Sequence, residues 1–317
     1  MLLEKDKFLA PLTTFQIGGS ARYFILVQNL KDLGAILELQ QQNSCPIFIL
    51  GGGSNLLIQD KGWDGIVVKL NLDYLEIREE NQLSPNSVSV KVGAGRLMPQ
   101  LVSQMCSLGL RGLEWAGGLP GTVGGAVRGN AGCFGGEIKD SVTQVIAFNL
   151  KTKDLKNFNN GECEFLYRHS FFKKNEEWLI VEIILSLQKG EKAELLKLMQ
   201  EKIQYRQDHH PLELPNAGSI FKNIFYEQAP PALQTLAKEK NILKPASILK
   251  IPAAFAIESC QLKGRAIGGA KISEKHANFI VNYHRAKARD VLDLIDLVKE
   301  TARQKFELTL EEEIQIV

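Results

Sequence analysis

Two glycine-rich segments in the first half of the chain have the composition of loops that bind phosphate. Residues 51–55, Gly-Gly-Gly-Ser-Asn, directly follow the apolar run 46–50, and residues 117–126 add more glycines and the hydroxyl of Thr122. Glycine admits positive φ, so successive backbone N–H groups can converge on phosphate oxygens. Either loop alone could equally be a plain turn, but two in one half of a chain favour a bound dinucleotide.

Two common nucleotide motifs are excluded. Neither loop contains the lysine of the P-loop pattern GxxxxGK[ST]. Residues 93–95, Gly-Ala-Gly, follow a predicted strand, but Met98 occupies the position of the third glycine of GxGxxG. We therefore interpret Gly95 as the entry to a helix and not as part of a Rossmann site.

Polar side chains that could act on a substrate lie further along the chain. Residues 215–223 contain Ser219, Lys222 and Asn223, and no histidine stands in a nucleophile-elbow relation to Ser219, which argues against a serine hydrolase. An unassisted serine is often a turn residue. Residues 271–278, which include His276, also fit a solvated loop before an apolar strand. No histidine pair has the i, i+4 spacing of a helical metal site, so no metal is predicted.

Arg168 and the glutamates near the C-terminus are further candidates. Arg168 lies between apolar residues, so its guanidinium could reach into a site, although a surface ion pair is the simpler alternative. Strand parity places Glu312 on the apolar face of the terminal segment and Glu313 on the other face. Glutamates near a terminus are also commonly just solvated.

The composition is that of an ordinary globular protein. Lys and Arg number 38 against 36 Asp and Glu, a net charge of +2, which gives no reason to expect a nucleic-acid partner. The five cysteines are odd in number and form no CxxC, which fits a reducing cytoplasm. The longest apolar run, residues 178–187, is about half the roughly 20 residues of a membrane helix. We expect neither an export signal nor a membrane span.

The elements that must position these residues follow from hydrophobic periodicity and from turn residues. Strands are predicted at residues 24–27, 46–50, 65–70, 88–92, 142–148, 178–187 and 308–317. Helices are predicted between the first two strands and at residues 97–108, 193–207 and 290–306. Glycines crowd together in residues 112–136, far above the average of about 7%, and this stretch is expected to be a long irregular loop.

Taken in order, these segments resemble the bacterial UDP-N-acetylenolpyruvoylglucosamine reductases, a family within the FAD-binding fold of the vanillyl-alcohol-oxidase type. The matching segments are residues 14–19, 51–55, 119–126, 167–170, 215–223, 262–264, 267–270, 273–278 and 310–314. Each glycine loop is unspecific, but the ordered set covers nearly the whole chain. Residues 273–278 resemble the shorter form of the family, which lacks an extra tyrosine loop.

The resemblance implies an α+β chain with a two-subdomain FAD-binding fold of the PCMH type and a C-terminal α+β substrate-binding domain. We predict the first FAD-binding subdomain at residues 1–70, joined by the C-terminal strand 307–317, the second at 71–210, and the substrate-binding domain at 211–306.

The resemblance also assigns roles to residues. It implies Ser219 as the proton donor, with Arg168 and Glu313 beside the enolpyruvyl group of the substrate. The remaining substrate contacts implied are Tyr167, Lys222, Asn223 and His276. Non-covalent FAD would be held by Gly51, Gly52, Gly53, Ser54, Asn55, Gly118, Pro120, Gly121, Thr122, Gly124, Asn130 and Gly132.

The implied reaction is the NADPH-dependent reduction of UDP-N-acetylglucosamine enolpyruvate by a cytoplasmic, monomeric flavoenzyme of peptidoglycan precursor synthesis. Two alternatives are weighed against it. A flavin oxidase of the same fold would favour a covalent link, for which Cys133 lies in a suitable loop. A nucleotide-binding module without catalysis would require the loss of Arg168, Ser219 or Glu313, and the chain retains all three.

Overall fold

The computed structural model describes residues 2–79, 86–243 and 249–317. The chain forms two compact units. Unit 1 contains Met1–Lys7, Ala21–Gly52 and Asp64–Asp208, and unit 2 contains Phe8–Ser20, Gly53–Trp63 and His209–Val317. Each unit has its own hydrophobic core.

The α-helices of the described residues are α1 Leu33–Asn43, α2 Met98–Ser107, α3 Val123–Arg128, α4 Phe171–Lys174, α5 Lys192–His209, α6 Pro231–Glu239, α7 Ala253–Ser259 and α8 Ala288–Phe306. The strands are β1 Leu2–Phe8, β2 Ser20–Val27, β3 Ile47–Leu50, β4 Leu56–Leu57, β5 Trp63–Leu70, β6 Leu75–Glu79, β7 Ser87–Gly93, β8 Leu110–Arg111, β9 Gly132–Cys133, β10 Gly136–Glu137, β11 Val142–Asn149, β12 Leu155–Asn159, β13 Trp178–Lys189, β14 Asn216–Ser219, β15 Ile224–Phe225, β16 Lys250–Ile251, β17 Ala266–Ile267, β18 Ala270–Ile272, β19 Phe279–Asn282 and β20 Gln315–Ile316.

The smaller sheet of unit 1 has the strand order β1-β2-β5-β3. The predicted strand, helix, strand, strand opening is confirmed as β2, α1, β3 and β5, and β3 runs parallel to β5. The sequence reading missed β1, because no residue of that strand is buried and its side chains therefore carry no regular apolar alternation.

The larger sheet of unit 1 is antiparallel, with the order β12-β11-β13-β7-β6 and with β8 paired to β13. The alternation of Val88, Val90 and Val92 correctly predicted β7, and all three side chains are buried. The predicted helix at 97–108 is confirmed as α2, and Gly109 follows it with φ +70°. The helix predicted at 193–207 is confirmed as α5.

The expectation of a long irregular loop at residues 112–136 is wrong. The stretch contains α3 and the hairpin of β9 and β10. Thr122 caps α3, since its side-chain oxygen accepts a hydrogen bond from the N–H of Gly125 at 3.3 Å. Two of the six residues of α3 are glycines. Gly124 is needed for packing, because a Cβ at this position would lie 2.8 Å from the Cβ of Ala94. Glycine here serves close packing of a helix as well as loop conformation.

Unit 2 is built on the antiparallel sheet β14-β19-β18-β17 and on α8. The apolar stripe that predicted α8 is fully buried, and it consists of Val291, Leu294, Ile295, Val298 and Ala302. Asp290 caps the start of this helix, because its Oδ2 accepts hydrogen bonds from the N–H groups of Lys287 at 3.0 Å and Gly269 at 2.9 Å.

The prediction of one strand over residues 308–317 is wrong in extent. Leu308, Leu310 and Ile314 are buried as predicted, but Ile316 is exposed, and regular pairing is limited to β20 against β4. Before β20, the terminal segment forms one isolated β-bridge, between Glu312 and Phe221. An extended backbone with alternating burial does not require a continuous partner strand.

The predicted division of the FAD-binding region near residue 70 stays a prediction. None of the helices in the described ranges is long and apolar enough to cross a membrane.

Candidate functional site

The two predicted phosphate-binding loops contact each other in unit 1. A Cβ atom added to Gly52 would lie 2.4 Å from the Cα of Gly121, and one added to Gly51 would lie 3.0 Å from Oγ1 of Thr122. Side chains at Gly52 would therefore displace the second loop. The structure brings Gly51, Gly52, Gly121 and Thr122 together, at the point where β3 ends and α3 begins.

Asn130 anchors the residues after α3 to the segment that carries Arg168. Asn130 is fully buried with φ +42°, and its Nδ2 donates to the carbonyl of Leu166 at 2.9 Å and to Glu137 at 3.0 Å. Ser170, also fully buried, donates its hydroxyl proton to the carbonyl of Arg128 at 2.7 Å. The two side chains hold the 166–170 segment against the glycine-rich region.

Arg168 lies in a tight turn between these anchors. Leu166 and His169 exchange backbone hydrogen bonds of 3.1 Å in both directions, which leaves Tyr167 and Arg168 at the turn. Arg168 has φ +54°, and its guanidinium carbon lies 5.1 Å from the centroid of the Tyr167 ring. The two residues predicted to contact the substrate from unit 1 thus lie side by side.

Arg206 of α5 connects both ends of the glycine-rich stretch, and the sequence reading did not single it out. Its Nε donates to the carbonyl of Gly117 at 2.9 Å, and its Nη2 lies 3.0 Å from Sγ of Cys133. Among the described residues it is the one charged residue that is buried. An arginine in a mostly polar helix gives no sequence signal for this role, because nothing local distinguishes it from a solvated residue.

Cys133 lies in a positively charged environment. Burial raises the pKa of its thiol, and Arg206, Arg168 and Lys202 act in the opposite direction. Arg168 is therefore close enough to the 130–133 segment to influence it electrostatically. Cations at this position could stabilise an anionic group of a ligand.

The rest of the first loop belongs to unit 2. Gly53 has φ +65°, and a Cβ on it would lie 2.4 Å from the carbonyl oxygen of Leu12. The side chain of Asn55 donates from Nδ2 to the carbonyl of Glu313 at 3.0 Å, and its own carbonyl accepts from the N–H of Gln315 at 3.0 Å. Asn55 thus fixes the backbone of a predicted catalytic residue.

Asn278 holds the segment that carries Ser219. Its Oδ1 accepts from the N–H of Phe221 at 2.9 Å, its Nδ2 donates to the carbonyl of Phe221 at 2.8 Å, and its carbonyl accepts from Ile220 at 2.8 Å. Both Asn278 and Ser273 are buried, so the solvated-loop alternative for residues 271–278 is wrong for these two residues. Ser219 itself is half-buried and lies opposite Phe279 in the β14–β19 pair.

Glu313 lies next to the same segment. Its N–H donates to the carbonyl of Ile220 at 2.8 Å, and two residues away the N–H of Lys222 donates to the carbonyl of Glu311 at 2.9 Å. The side chains of Lys222 and Glu311 form an ion pair, whereas Glu312 pairs with Lys299 of α8. The side chain of Asn223 accepts from the N–H of Ala253 at 3.1 Å.

His276 lies in an aromatic cluster with His210 and Phe279. The ring centroid of His276 is 5.4 Å from that of His210 and 4.7 Å from that of Phe279. Burial lowers the pKa of the His276 imidazole from its ordinary value of 6.5. Its Nδ1 is buried without a hydrogen-bond partner among the described residues.

The predicted site residues are thus distributed over both units. Unit 1 carries Gly51, Gly52, Gly118, Pro120, Gly121, Thr122, Gly124, Asn130, Gly132, Tyr167 and Arg168. Unit 2 carries Gly53, Ser54, Asn55, Ser219, Lys222, Asn223, His276 and Glu313.

Comparison with known proteins agrees with this arrangement. A family model described as FAD binding domain matches residues 21–153, and one described as UDP-N-acetylenolpyruvoylglucosamine reductase, C-terminal domain, matches residues 210–317. The UDP-N-acetylenolpyruvoylglucosamine reductases of Halalkalibacterium halodurans and Bacillus subtilis are 38% and 36% identical to this chain. Each alignment covers 98% of this chain, with 93% of the first relative and 92% of the second.

A solved structure is similar over the full length. The crystal structure of UDP-N-acetylenolpyruvylglucosamine reductase from Thermus caldophilus has a TM-score of 0.75 and 31% identity, and the alignment covers 100% of this chain and 99% of that one. The fold is therefore the predicted FAD-binding fold of the PCMH type with a C-terminal domain, and the protein is an FAD-containing oxidoreductase. The chain belongs to the UDP-N-acetylenolpyruvoylglucosamine reductase family.

Proposed function

We propose that the protein reduces UDP-N-acetylglucosamine enolpyruvate to UDP-N-acetylmuramate in peptidoglycan precursor synthesis, with NADPH as the reductant and Ser219 as the proton donor. Family membership over the whole chain supports the reaction. The residues present also fit FAD, because Gly52 packs directly against Gly121, and glycine-rich turns of this kind can direct backbone N–H groups at a pyrophosphate.

One observation supports the assignment of the catalytic side chains in unit 2. The hydrogen bond from Glu313 to Ile220 places Glu313 beside the segment of Ser219, although 94 positions separate Ser219 from Glu313 in the sequence. Asn278 fixes the same segment through three hydrogen bonds. The backbone segments that carry this serine and this glutamate are thus hydrogen-bonded neighbours, which supports their assignment to one site.

FAD held at the glycine loops would supply the redox chemistry, with NADPH as the source of the hydride and the terminal methylene carbon of the enolpyruvyl ether as its destination. Negative charge then develops on the neighbouring carbon and its carboxylate, and the Arg168 guanidinium can bind that carboxylate bidentately. Ser219 gives its hydroxyl proton to the same carbon, which completes the saturated lactyl ether. A serine hydroxyl is a weak acid, so it can serve here because the accepting carbon is strongly basic. Glu313 is the third catalytic residue proposed beside the enolpyruvyl group.

Lys222 and Asn223 are proposed to bind the diphosphate of the substrate. Lys222 pairs with Glu311, whose side chain is 71% exposed. Such an exposed ion pair contributes only about 0–1 kcal/mol, so a diphosphate can displace the carboxylate at little cost. Tyr167 and His276 supply the remaining contacts, and the unpartnered Nδ1 of His276 can hydrogen-bond to an anionic group.

We also infer that the protein acts as a monomer in the cytoplasm, without a nucleic-acid or membrane partner. Size-exclusion chromatography with light scattering tests the inferred monomer, whose mass should be near 35.3 kDa. A mass twice as large at micromolar concentration would contradict it.

The reaction is tested with the purified protein. We expect a yellow protein that releases its flavin on denaturation, and NADPH oxidation that depends on UDP-N-acetylglucosamine enolpyruvate. Mass spectrometry should find a product heavier than the substrate by two hydrogens. A flavin-loaded protein that oxidises NADPH without responding to this substrate would refute the proposed reaction.

A further inference from the structure

Lys69 is a charged residue in an otherwise apolar stretch of β5. The three preceding residues, Ile66, Val67 and Val68, are fully buried, and Lys69 is itself half-buried. Removal of an ammonium group from water is unfavourable unless an opposite charge compensates it. Burial accordingly lowers the pKa of Lys69.

No carboxylate compensates this charge among the residues that the structure describes. The Nζ of Lys69 instead donates a hydrogen bond to the backbone carbonyl of Gly51 at 3.1 Å. Lys91, a half-buried lysine on β7 of the same unit, pairs with Glu182 at 2.9 Å. The two lysines thus differ in whether the protein supplies a counterion.

The position of Lys69 indicates what the counterion is. Lys69 lies opposite Leu50 in the parallel β3–β5 ladder, and Leu50 directly precedes the glycine loop. In that loop, a Cβ on Gly52 would lie 2.4 Å from the Cα of Gly121, which excludes a side chain, and one on Gly51 would lie 3.0 Å from Oγ1 of Thr122. A cation hydrogen-bonded to a glycine-rich loop can add its charge to the backbone N–H groups of that loop in stabilising a phosphate group.

We propose that Lys69 supplies the positive charge that neutralises the pyrophosphate of bound FAD. The proposal rests on FAD binding by the family and adds a residue of this chain to the cofactor site. It makes Lys69 a cofactor-binding residue whose charge is uncompensated until FAD binds. If Lys69 were purely structural, its role would be to donate a hydrogen bond to the carbonyl of Gly51.

Titration of the flavin-free protein with FAD separates these two roles. Lys69→Met should weaken FAD binding roughly ten- to a hundred-fold, as expected for loss of a hydrogen bond to a charged group. Lys69→Arg should restore most of the affinity, because it keeps the charge. The affinity of Lys69→Met should also depend less on ionic strength than that of the wild type, because one charge interaction is missing.

Thermal unfolding of the same flavin-free variants provides the matched comparison. Lys69→Met should be as stable as the wild type or more stable, because a buried charge has been removed. Lys91→Met should be less stable, because Glu182 loses its counterion and keeps only the hydrogen bond from the Tyr74 hydroxyl, but its FAD affinity should be unchanged.

Three results would overturn the proposal. Lys69→Met could bind FAD as tightly as the wild type. It could lose stability without FAD and keep its affinity, which would make Lys69 structural. It could shift the flavin reduction potential at unchanged affinity, which would place the charge at the ring and not at the pyrophosphate. A wild-type protein that binds no FAD would contradict the cofactor of the family as well, so the wild-type titration distinguishes the two failures.

Discussion

Arg168 has a backbone conformation that glycine adopts more easily. Its φ of +54° is costly for a residue with a Cβ, and two buried side chains, Asn130 and Ser170, maintain the surrounding segment. Other non-glycine residues, such as Lys153, share a positive φ, so the conformation alone does not distinguish Arg168. The Arg168 side chain is the one proposed to bind the substrate carboxylate.

Arg168→Gly should therefore separate folding from catalysis. We expect the free energy of unfolding to be unchanged or to rise by about 1 kcal/mol, because glycine relieves the strain. The rate of substrate reduction should fall by about 10² to 10³, the usual effect of losing a preorganised donor. Chemical denaturation and steady-state kinetics measure the two quantities.

Lys153 offers the control for this variant. It has φ +66° in the exposed turn between β11 and β12. Lys153→Gly should gain similar stability and keep full activity. An Arg168→Gly variant with normal turnover would exclude the proposed role of Arg168.

His276 predicts a pH dependence of stability. Its pKa is lowered by burial, so between that lowered pKa and 6.5 the unfolded chain binds more protons than the folded protein. The free energy of unfolding contributed by this group therefore rises with pH across this window and falls as the pH is lowered through it. Urea denaturation at a series of pH values should show that the wild type loses more stability on acidification than His276→Gln.

His284, which is exposed, provides the matched control. His284→Gln should follow the wild-type pH profile. If His276→Gln loses stability on acidification in parallel with the wild type, the imidazole of His276 is not the group responsible.

At the scale of single residues, sequence physics identified candidates but did not rank them. The glycine loops were recognised because their composition is unusual, and the structure confirms that Gly52 has no room for a side chain. Arg206 and Lys69 were missed because their importance comes from partners distant in the sequence. The roles of Ser219, Arg168 and Glu313 came from family resemblance and stay predictions.

Among the elements, the turn that ends at Asn278 positions the Ser219 segment. The side chain of Asn278 satisfies both backbone polar groups of Phe221. Asn278→Ala should lower the free energy of unfolding by about 1–3 kcal/mol for each buried group left unsatisfied. It should also lower kcat, because the segment with Ser219 loses its anchor. Denaturation and steady-state kinetics with the natural substrate measure both effects.

Asn149 allows the two effects to be distinguished. It is buried in unit 1, and its Oδ1 accepts from the N–H groups of Lys151 at 2.8 Å and Thr152 at 3.0 Å. Asn149→Ala should lose stability and keep its kcat. If the fully folded Asn278→Ala variant also keeps its kcat, Asn278 does not position the catalytic segment.

Long, strongly periodic elements were predicted well, whereas short ones were not. Helix α8 and strand β7 were identified because the buried positions of α8 and the buried valines of β7 each follow one period. Helix α3 was missed because it has only six residues and two of them are glycines; the Thr122 cap and close packing against Ala94 stabilise it. The predicted terminal strand was too long, because alternating burial does not show where the partner strand ends.

For the molecule as a whole, composition correctly indicated a globular chain with ample core, but not how the chain divides. Phe8–Ser20 and Gly53–Trp63 belong to the unit of the C-terminal residues, not to the unit of their neighbours in sequence. Such long-range association depends on tertiary packing around Phe15, Ile17 and Leu57, which share a core with α8. No local pattern in those segments predicts it.

The central claim is that the chain reduces an enolpyruvyl group with Ser219 as the proton donor. Stopped-flow absorbance of Ser219→Ala in two separate half-reactions tests it most directly. NADPH should reduce the flavin at the wild-type rate, because Ser219 takes no part in that step. Reoxidation by UDP-N-acetylglucosamine enolpyruvate should slow by about 10² to 10⁴, the usual contribution of a general acid. Reoxidation at the wild-type rate, with normal yield of product, would contradict the account.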